Sequence, residues 1–282
     1  MTSNTGHFYD EIIKDKIKVL LNYPNLNDDI KFGHFDTQHH KETSIHNARQ
    51  LNTPPHIEQE GFCLLTSNIN LHIFSIDELT PNIIQPFNTI LVDTLSAKRA
   101  LLLGAVIRHE QKHDTGLPSH SEIRSPAGFI HADWGMQRLQ ALTTNPDPIL
   151  VNNPQINHTD IANVINKASR WGMYNIWIPL VHLTNNNLAL CSINGMNNED
   201  IVRSFMFNGT SEIMTLKYNQ HHQWFYYPLM QSNELLIFKQ YDSIENDDTY
   251  TCVFHTAFNI VKDDNLIMNP RKSLELRFLV NY

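Results

Sequence analysis

Two short stretches of this chain carry side chains that could hold a metal ion. In the first, His131-Ala132-Asp133, an imidazole and a carboxylate stand two residues apart. Side chains alternate along an extended chain, so this spacing puts both groups on one side. A second histidine from elsewhere would complete a set of two imidazoles and one carboxylate. Such a set caps one face of an octahedral ion and leaves three positions for reactants, an arrangement suited to non-haem iron(II). The apolar run from Val253 to Phe258 supplies His255. Sixteen residues later come Arg271 and Ser273, with Arg277 beyond them in the last apolar stretch. On a strand these three share a face. A guanidinium gives a carboxylate two parallel hydrogen bonds, so either arginine could hold the far end of a dicarboxylate. Taken singly, each piece has an ordinary structural reading: a histidine beside a helix-capping aspartate, a surface ion pair, a strand charge facing solvent. The ordered set is far more specific than its parts.

The second stretch, His109-Glu110-Gln111-Lys112-His113, matches a pattern in which two histidines one helical turn apart bind zinc and the glutamate acts as base. Gly116 and His120 follow, but His120 lies one residue past the place for a third ligand. The preceding LLLGAVI (101–107) reads as a buried strand rather than as a zinc helix. A zinc hydrolase is one rival reading. A barrel kept only as a binding module is another, which the intact His131, Asp133 and His255 set opposes.

The elements that must position these groups are mostly strands. Residues 61–65, 70–75, 102–108, 128–131, 173–180, 188–191, 213–218, 223–227, 234–238, 252–258 and 273–280 are short and rich in β-branched and aromatic residues. Residues 8–21 read as an amphipathic helix, with Ile13, Ile17, Leu20 and Leu21 on one face. Residues 24–55 read as polar loop. Thr159-Asp160 reads as the cap of a helix ending at Ala168, with Ile161, Val164 and Ile165 inward. His39-His40 and His221-His222 read as loop or surface. Trp224 and Tyr226 face one way and Phe225 and Tyr227 the other, as core packing or substrate contacts. Arg124 and Gln137 lie close enough to the His-x-Asp segment to reach a site. Short strands behind front helices predict one barrel of the double-stranded β-helix (jelly-roll) kind over 1–282, with 1–60 an extension and 61–282 the barrel.

Composition narrows the function. The apolar share of 41% supports a real core, and a net charge of −8 argues against nucleic acid as partner. Three scattered cysteines form neither a zinc pattern nor a disulfide framework and fit a reducing compartment. The N-terminal stretch has no signal-peptide pattern and no apolar run is long enough to span a membrane. A cytoplasmic enzyme acting on a small molecule is the expectation.

The chain resembles the hydroxylase/desaturase family of secondary-metabolite clusters. The resemblance rests on GFCLL (61–65), HAD (131–133), NIWIPL (175–180), LALC (188–191), WFYYPLM (224–230), ELLIFKQYDS (234–243), HTAF (255–258) and PRKSLELRFLV (270–280). It implies a double-stranded β-helix using iron(II), with 2-oxoglutarate and dioxygen as co-substrates. By position it implies His131, Asp133 and His255 as iron ligands. Arg271 with Ser273, or else Arg277, would take the distal carboxylate of 2-oxoglutarate. Asn175 and Trp177 would line the pocket, with Arg124 and Tyr226 as further candidates for substrate contact. Lys239, Asp242 and Ser243 would orient His255 or form a turn. Family members usually carry Arg where this chain has Ile178, which implies a different or less acidic substrate.

Overall fold

Alternation decides the framework. In the C-terminal strand Leu274, Leu276, Phe278 and Val280 are buried against one apolar cluster, while Ser273, Glu275 and Arg277 are buried on the opposite side. A strand apolar on one face and polar on the other, with both faces covered, must lie between two layers. The computed structural model describes residues 14–24, 40–69, 71–110, 123–206, 211–244, 252–260 and 270–282.

Among them the strands are β1 (Lys16–Asn22), β2 (His40–Asn47), β3 (Phe62–Thr66), β4 (Arg99–His109), β5 (Ile123–Arg124), β6 (Trp171–Pro179), β7 (Asn187–Cys191), β8 (Ile201–Met206), β9 (Ser211–Leu216), β10 (Trp224–Tyr226), β11 (Glu234–Asp242), β12 (His255–Phe258) and β13 (Lys272–Asn281). They form one sheet ordered β1-β2-β10-β7-β12, a second ordered β3-β11-β6-β13-β4-β5, and the separate pair β8-β9. The helices are α1 (Pro81–Leu95), α2 (Met136–Ala141) and α3 (His158–Lys167). Between the sheets pack Ile17, Val19, Ile45, Ala189, Trp224 and Tyr226 from the first with Leu101, Leu103, Met173 and Leu279 from the second. The outer face of the second sheet packs on α1 through Ile84, Phe87, Leu91 and Leu95. The architecture is the double-stranded β-helix.

Several elements differ from the sequence reading. Residues 16–22 form a strand, not the end of a helix: Ile17, Val19 and Leu21 are buried in alternation and pair with β2. Ile17, Leu20 and Leu21 also satisfy a helical period, and tertiary pairing chose the other one; residues 8–13 lie outside the described set. Part of the polar stretch 24–55 is likewise a strand, β2, held by β1 on one side and by parallel pairing to β10 on the other. Residues 71–75 bury Leu71 and Ile73 without joining a ladder, and a capping box at Ser75 starts a short 3-10 turn; Asn70 is outside the described residues. Around His131 there is an isolated bridge instead of a strand over 128–131. Helix α1 has no counterpart in the sequence reading, because Pro86 interrupts its pattern. Helix α3 is capped by Asn157, whose side chain accepts from the Thr159 amide, two residues before the expected cap. His222 is buried and bonded to Asp200 (3.1 Å), not on the surface.

Candidate active site

The two halves of the triad meet through the backbone. His131 and His255 exchange both main-chain hydrogen bonds, 3.1 and 2.9 Å, which sets their side chains together with ring centroids 4.2 Å apart. One residue on, Ala132 exchanges bonds with Met214 of β9 on the other side, 2.9 and 3.3 Å. The segment carrying the His-x-Asp pair is thus clamped between β12 and the β8-β9 hairpin. Gly135 lets the hairpin approach: a Cβ there would meet the Glu212 carboxylate at 2.1 Å, and that carboxylate accepts from the Gln137 amide at 2.7 Å.

One ligand-type atom from each of His131, Asp133 and His255 lies within 4.8 Å of the others, and all three residues are buried. His131 Nδ1 lies 2.9 Å from the Phe129 carbonyl and His255 Nδ1 lies 3.3 Å from that of Val253. A carbonyl can only accept, so each Nδ1 carries the proton and each Nε2 keeps a free lone pair. His255 Nε2 is buried without a hydrogen-bond partner. Burial holds both imidazoles below the usual histidine value; for His131 the neighbouring His255 adds to this, against the opposing pull of Asp133. Neutral imidazoles are the form that binds metal. At Asp133 burial pushes the carboxyl up, but Arg277 and the two histidines, with a hydrogen bond from Asn175, outweigh it and hold the group well below the carboxylate range. Arg277 Nε (3.0 Å) and Asn175 Nδ2 (2.9 Å) both donate to Asp133 Oδ2. Oδ1 is left on the side of His131 Nε2, 3.9 Å away. Two bare imidazole nitrogens and one bare carboxylate oxygen suit a divalent ion, and without one the buried His255 nitrogen would be an unexplained orphan.

The two C-terminal arginines separate: Arg271 stands just before β13 and Arg277 within it. Arg277 is bonded through Nε to Asp133 and lies 2.6 Å from Glu275, while its Nη1 is buried without a hydrogen-bond partner. Arg271 makes no ion pair among the described residues. Its Nε donates to Ser273 Oγ (3.2 Å), its Nη1 to the Asn186 carbonyl and side chain (3.0 and 3.2 Å), and its guanidinium lies 4.9 Å from the centre of the Trp177 ring. Asn186 takes φ 51°, a left-handed conformation that Asn tolerates. Trp177 Nε1 is buried without a partner.

A small cavity beside the triad is bounded by His131, Asp133, Arg108, Arg124, Arg138 and Arg277. Arg108 and Arg138 do not stand out in the sequence; Arg108 stands opposite Ser273 on β4, so the pairing register could have found it. Tyr226 packs edge-on against Phe258 between the sheets, which favours its core reading. Ile178 faces the core under α1, away from the triad, so its difference from the family does not bear on substrate acidity. The Lys239 side chain lies near Asp242 (3.7 Å) and Glu58 (3.8 Å), its carbonyl accepts from the Val253 amide (2.9 Å), and Ser243 Oγ accepts from the Trp171 amide, which ties the end of β11 to β6.

The described part of the zinc pattern, His109 and Glu110, is not helical. His109 ends a strand, and the Glu110 carboxylate accepts from the Arg271 amide (2.8 Å) and the Asn186 side chain (3.3 Å). His113, Gly116 and His120 lie outside the described residues. Glu110 is a clasp on the loop that holds Arg271. Glu110→Ala should therefore lower stability by about 1–3 kcal/mol in urea unfolding and leave iron(II) uptake intact. Loss of metal uptake in a folded variant would revive the zinc reading.

A family model described as an oxidoreductase/YMDC permease-like domain matches residues 9–281. The chain belongs to this family. Among curated relatives, the hydroxylase/desaturase efuI of Hormonema carpetanum is 23% identical over 250 residues, covering 79% of this chain and 78% of the relative. The hydroxylase/desaturase asaB of Aspergillus flavus is 25% identical over 202 residues, 65% of this chain and 88% of its own. The alpha-ketoglutarate-dependent dioxygenase tstK of Talaromyces stipitatus is 28% identical over 117 residues, 40% of this chain; the match spans 42% of that relative's length. The solved structure of the iron and alpha-ketoglutarate-dependent endoperoxidase NvfI superposes with a TM-score of 0.64 at 16% identity, over 95% of this chain and 97% of that one, and shares its fold. The resemblance read from the sequence agrees with these matches: the chain is similar to proteins named hydroxylase/desaturase and alpha-ketoglutarate-dependent dioxygenase, and it has the fold of an iron and alpha-ketoglutarate-dependent endoperoxidase. Among the described residues no helix of this family member is long and apolar enough to cross a membrane.

Proposed function

We propose that His131, Asp133 and His255 bind iron(II), that Arg271 with Ser273 takes the distal carboxylate of 2-oxoglutarate, and that the enzyme hydroxylates or desaturates a small molecule. The observation that carries the reading is the buried triad with its partnerless His255 Nε2. Iron(II) bound there, with 2-oxoglutarate and dioxygen, supplies the oxidant that removes hydrogen from a substrate carbon. The chain's own part is placement. The Phe129 and Val253 carbonyls fix the tautomers that bare both Nε2 atoms. Arg277 and Asn175 occupy one carboxylate oxygen of Asp133 and favour ligation through the other. Phe129, Ile149, Leu150 and Ile213 form the apolar part of the wall of the cavity beside the triad, which Arg124 also lines. The shared core of the two sheets supports a single oxygenase domain. The net charge of −8 supports the absence of a nucleic-acid partner, and the three scattered cysteines support a cytoplasmic setting.

The test is metal uptake and co-substrate turnover. The wild-type protein should bind one iron(II) per chain and form succinate from 2-oxoglutarate in the presence of dioxygen. His131→Ala, Asp133→Ala and His255→Ala should each abolish iron uptake while the barrel stays folded by circular dichroism. Full occupancy in the His131→Ala and Asp133→Ala proteins would overturn the assignment.

A further inference from the structure

The two segments that bring the triad together come from distant parts of the sequence, and one side chain ties them. Strand β11 pairs regularly with β6 as far as Lys239 opposite Tyr174, and resumes with Tyr241 opposite Met173. Gln240 is the extra residue of this bulge. A bulge turns a side chain out of the normal alternation, and such kinks recur beside active sites. Here the amide of Gln240 is fully buried. Its Oε1 accepts the Asp133 backbone N–H at 2.8 Å, and its Nε2 donates to the Val253 carbonyl at 2.8 Å. The backbone N–H of Asp133 can only donate and the Val253 carbonyl can only accept, so the amide has one workable orientation.

Those two backbone groups are tied to the triad's own geometry. The Asp133 amide fixes the main chain from which one ligand projects. The Val253 carbonyl is the same oxygen that faces His255 Nδ1. It therefore selects the tautomer that leaves His255 Nε2 bare. A leucine or methionine could fill the same space in an apolar core. What only an amide supplies is an acceptor at one end and a donor at the other, spanning two ligand-bearing segments.

We infer that Gln240 is a positioning residue for the metal centre, an amide clasp that sets Asp133 and His255 in register for one ion. The inference rests on the iron-binding reading of His131, Asp133 and His255. Groups one step removed from a metal typically change its affinity about 10- to 100-fold when they are replaced.

Three proteins carry the test: wild type, Gln240→Met, which keeps length and burial but removes both hydrogen bonds, and Gln240→Glu, which keeps the acceptor and loses the donor. The probe is cobalt(II), titrated into metal-free protein, with its visible d–d spectrum as reporter of coordination. Both variants should bind cobalt(II) about 10- to 100-fold more weakly, with an altered d–d band, and with metal-free near-ultraviolet circular dichroism like the wild type. Unchanged affinity and spectrum in whichever variant folds overturns the clasp. In the metal-free wild type the Asp133 amide proton should exchange slowly with solvent; fast exchange also overturns it, whatever the variants do. His255→Ala is the control for the reading beneath: if wild type and His255→Ala take up cobalt(II) alike, the metal site itself is wrong, whereas loss in His255→Ala alone leaves Gln240 as the point at fault.

Discussion

Arg271→Lys should weaken 2-oxoglutarate binding by roughly 30- to several-thousand-fold, corresponding to about 2–5 kcal/mol for breaking a charged hydrogen-bond pair in a desolvated pocket. Iron(II) affinity should stay within a few-fold. Arg271 is buried, its guanidinium pushed down to about 9 by burial and by the neighbouring Arg108, while Glu275 and Glu110 pull the other way. A dicarboxylate arriving at this cation relieves the crowding of like charge. Ser273 Oγ and the Asn186 carbonyl hold the guanidinium plane and Trp177 lies against it, so the fork is set before any ligand comes. Lysine keeps the charge but has no fork, and three neighbours aimed at a planar group would be left to a point charge. The measurement is anaerobic titration of the iron(II)–2-oxoglutarate charge-transfer absorbance. An unchanged midpoint in Arg271→Lys would remove Arg271 from the site. Disappearance of the signal in an Arg277 variant that remains folded, with Arg271→Lys unaffected, would mean that the carboxylate goes to Arg277.

The choice between these arginines shows where reading the sequence stops. Strand alternation puts both on one face; the fold places Arg277 on the inner face of β13 and Arg271 just before that strand begins, beside Ser273. What separates them is Asp133, which reaches Arg277 from 144 residues away, and Asn186, which reaches Arg271 from 85 away. No local pattern encodes either interaction. The triad itself is legible because three ligand types appear in order, and because His-x-Asp and a histidine in an apolar run each imply an extended backbone. Strand β13 is legible from its alternation over 273–278. By contrast β1 reads as helix because Ile17, Leu20 and Leu21 fit a helix as well as Ile17, Val19 and Leu21 fit a strand, and only pairing with β2 decides. Helix α1 is hidden by Pro86. Gln240 stands inside the ELLIFKQYDS motif, yet its role depends on a bulge that no side-chain pattern announces.

Arg277→Met should destabilise the metal-free protein by about 3–5 kcal/mol, the cost of removing one partner from a buried ion pair. Arg277 is fully buried, and burial alone would lower its basicity; Asp133 and Glu275 reverse this and raise it. Without it Asp133 Oδ2 keeps only the Asn175 amide, and Glu275 loses the guanidinium 2.6 Å away. Methionine fills similar length without charge, so packing changes little and the destabilisation reads the orphaned carboxylates. The decisive step is a second substitution. Asp133→Asn in the Arg277→Met background removes one orphaned charge at almost no change in volume, and it should recover about 1–3 kcal/mol, the size of coupling seen between residues in direct contact. In the Arg277 background that same Asp133→Asn change should destabilise, because it breaks the pair from the other side. Opposite signs of one substitution in two backgrounds, read by urea unfolding of the metal-free proteins, identify Arg277 as the counter-ion of Asp133. If Asp133→Asn shifts stability equally in both, the 3.0 Å hydrogen bond carries no coupling and Arg277 is again open as a carboxylate receptor.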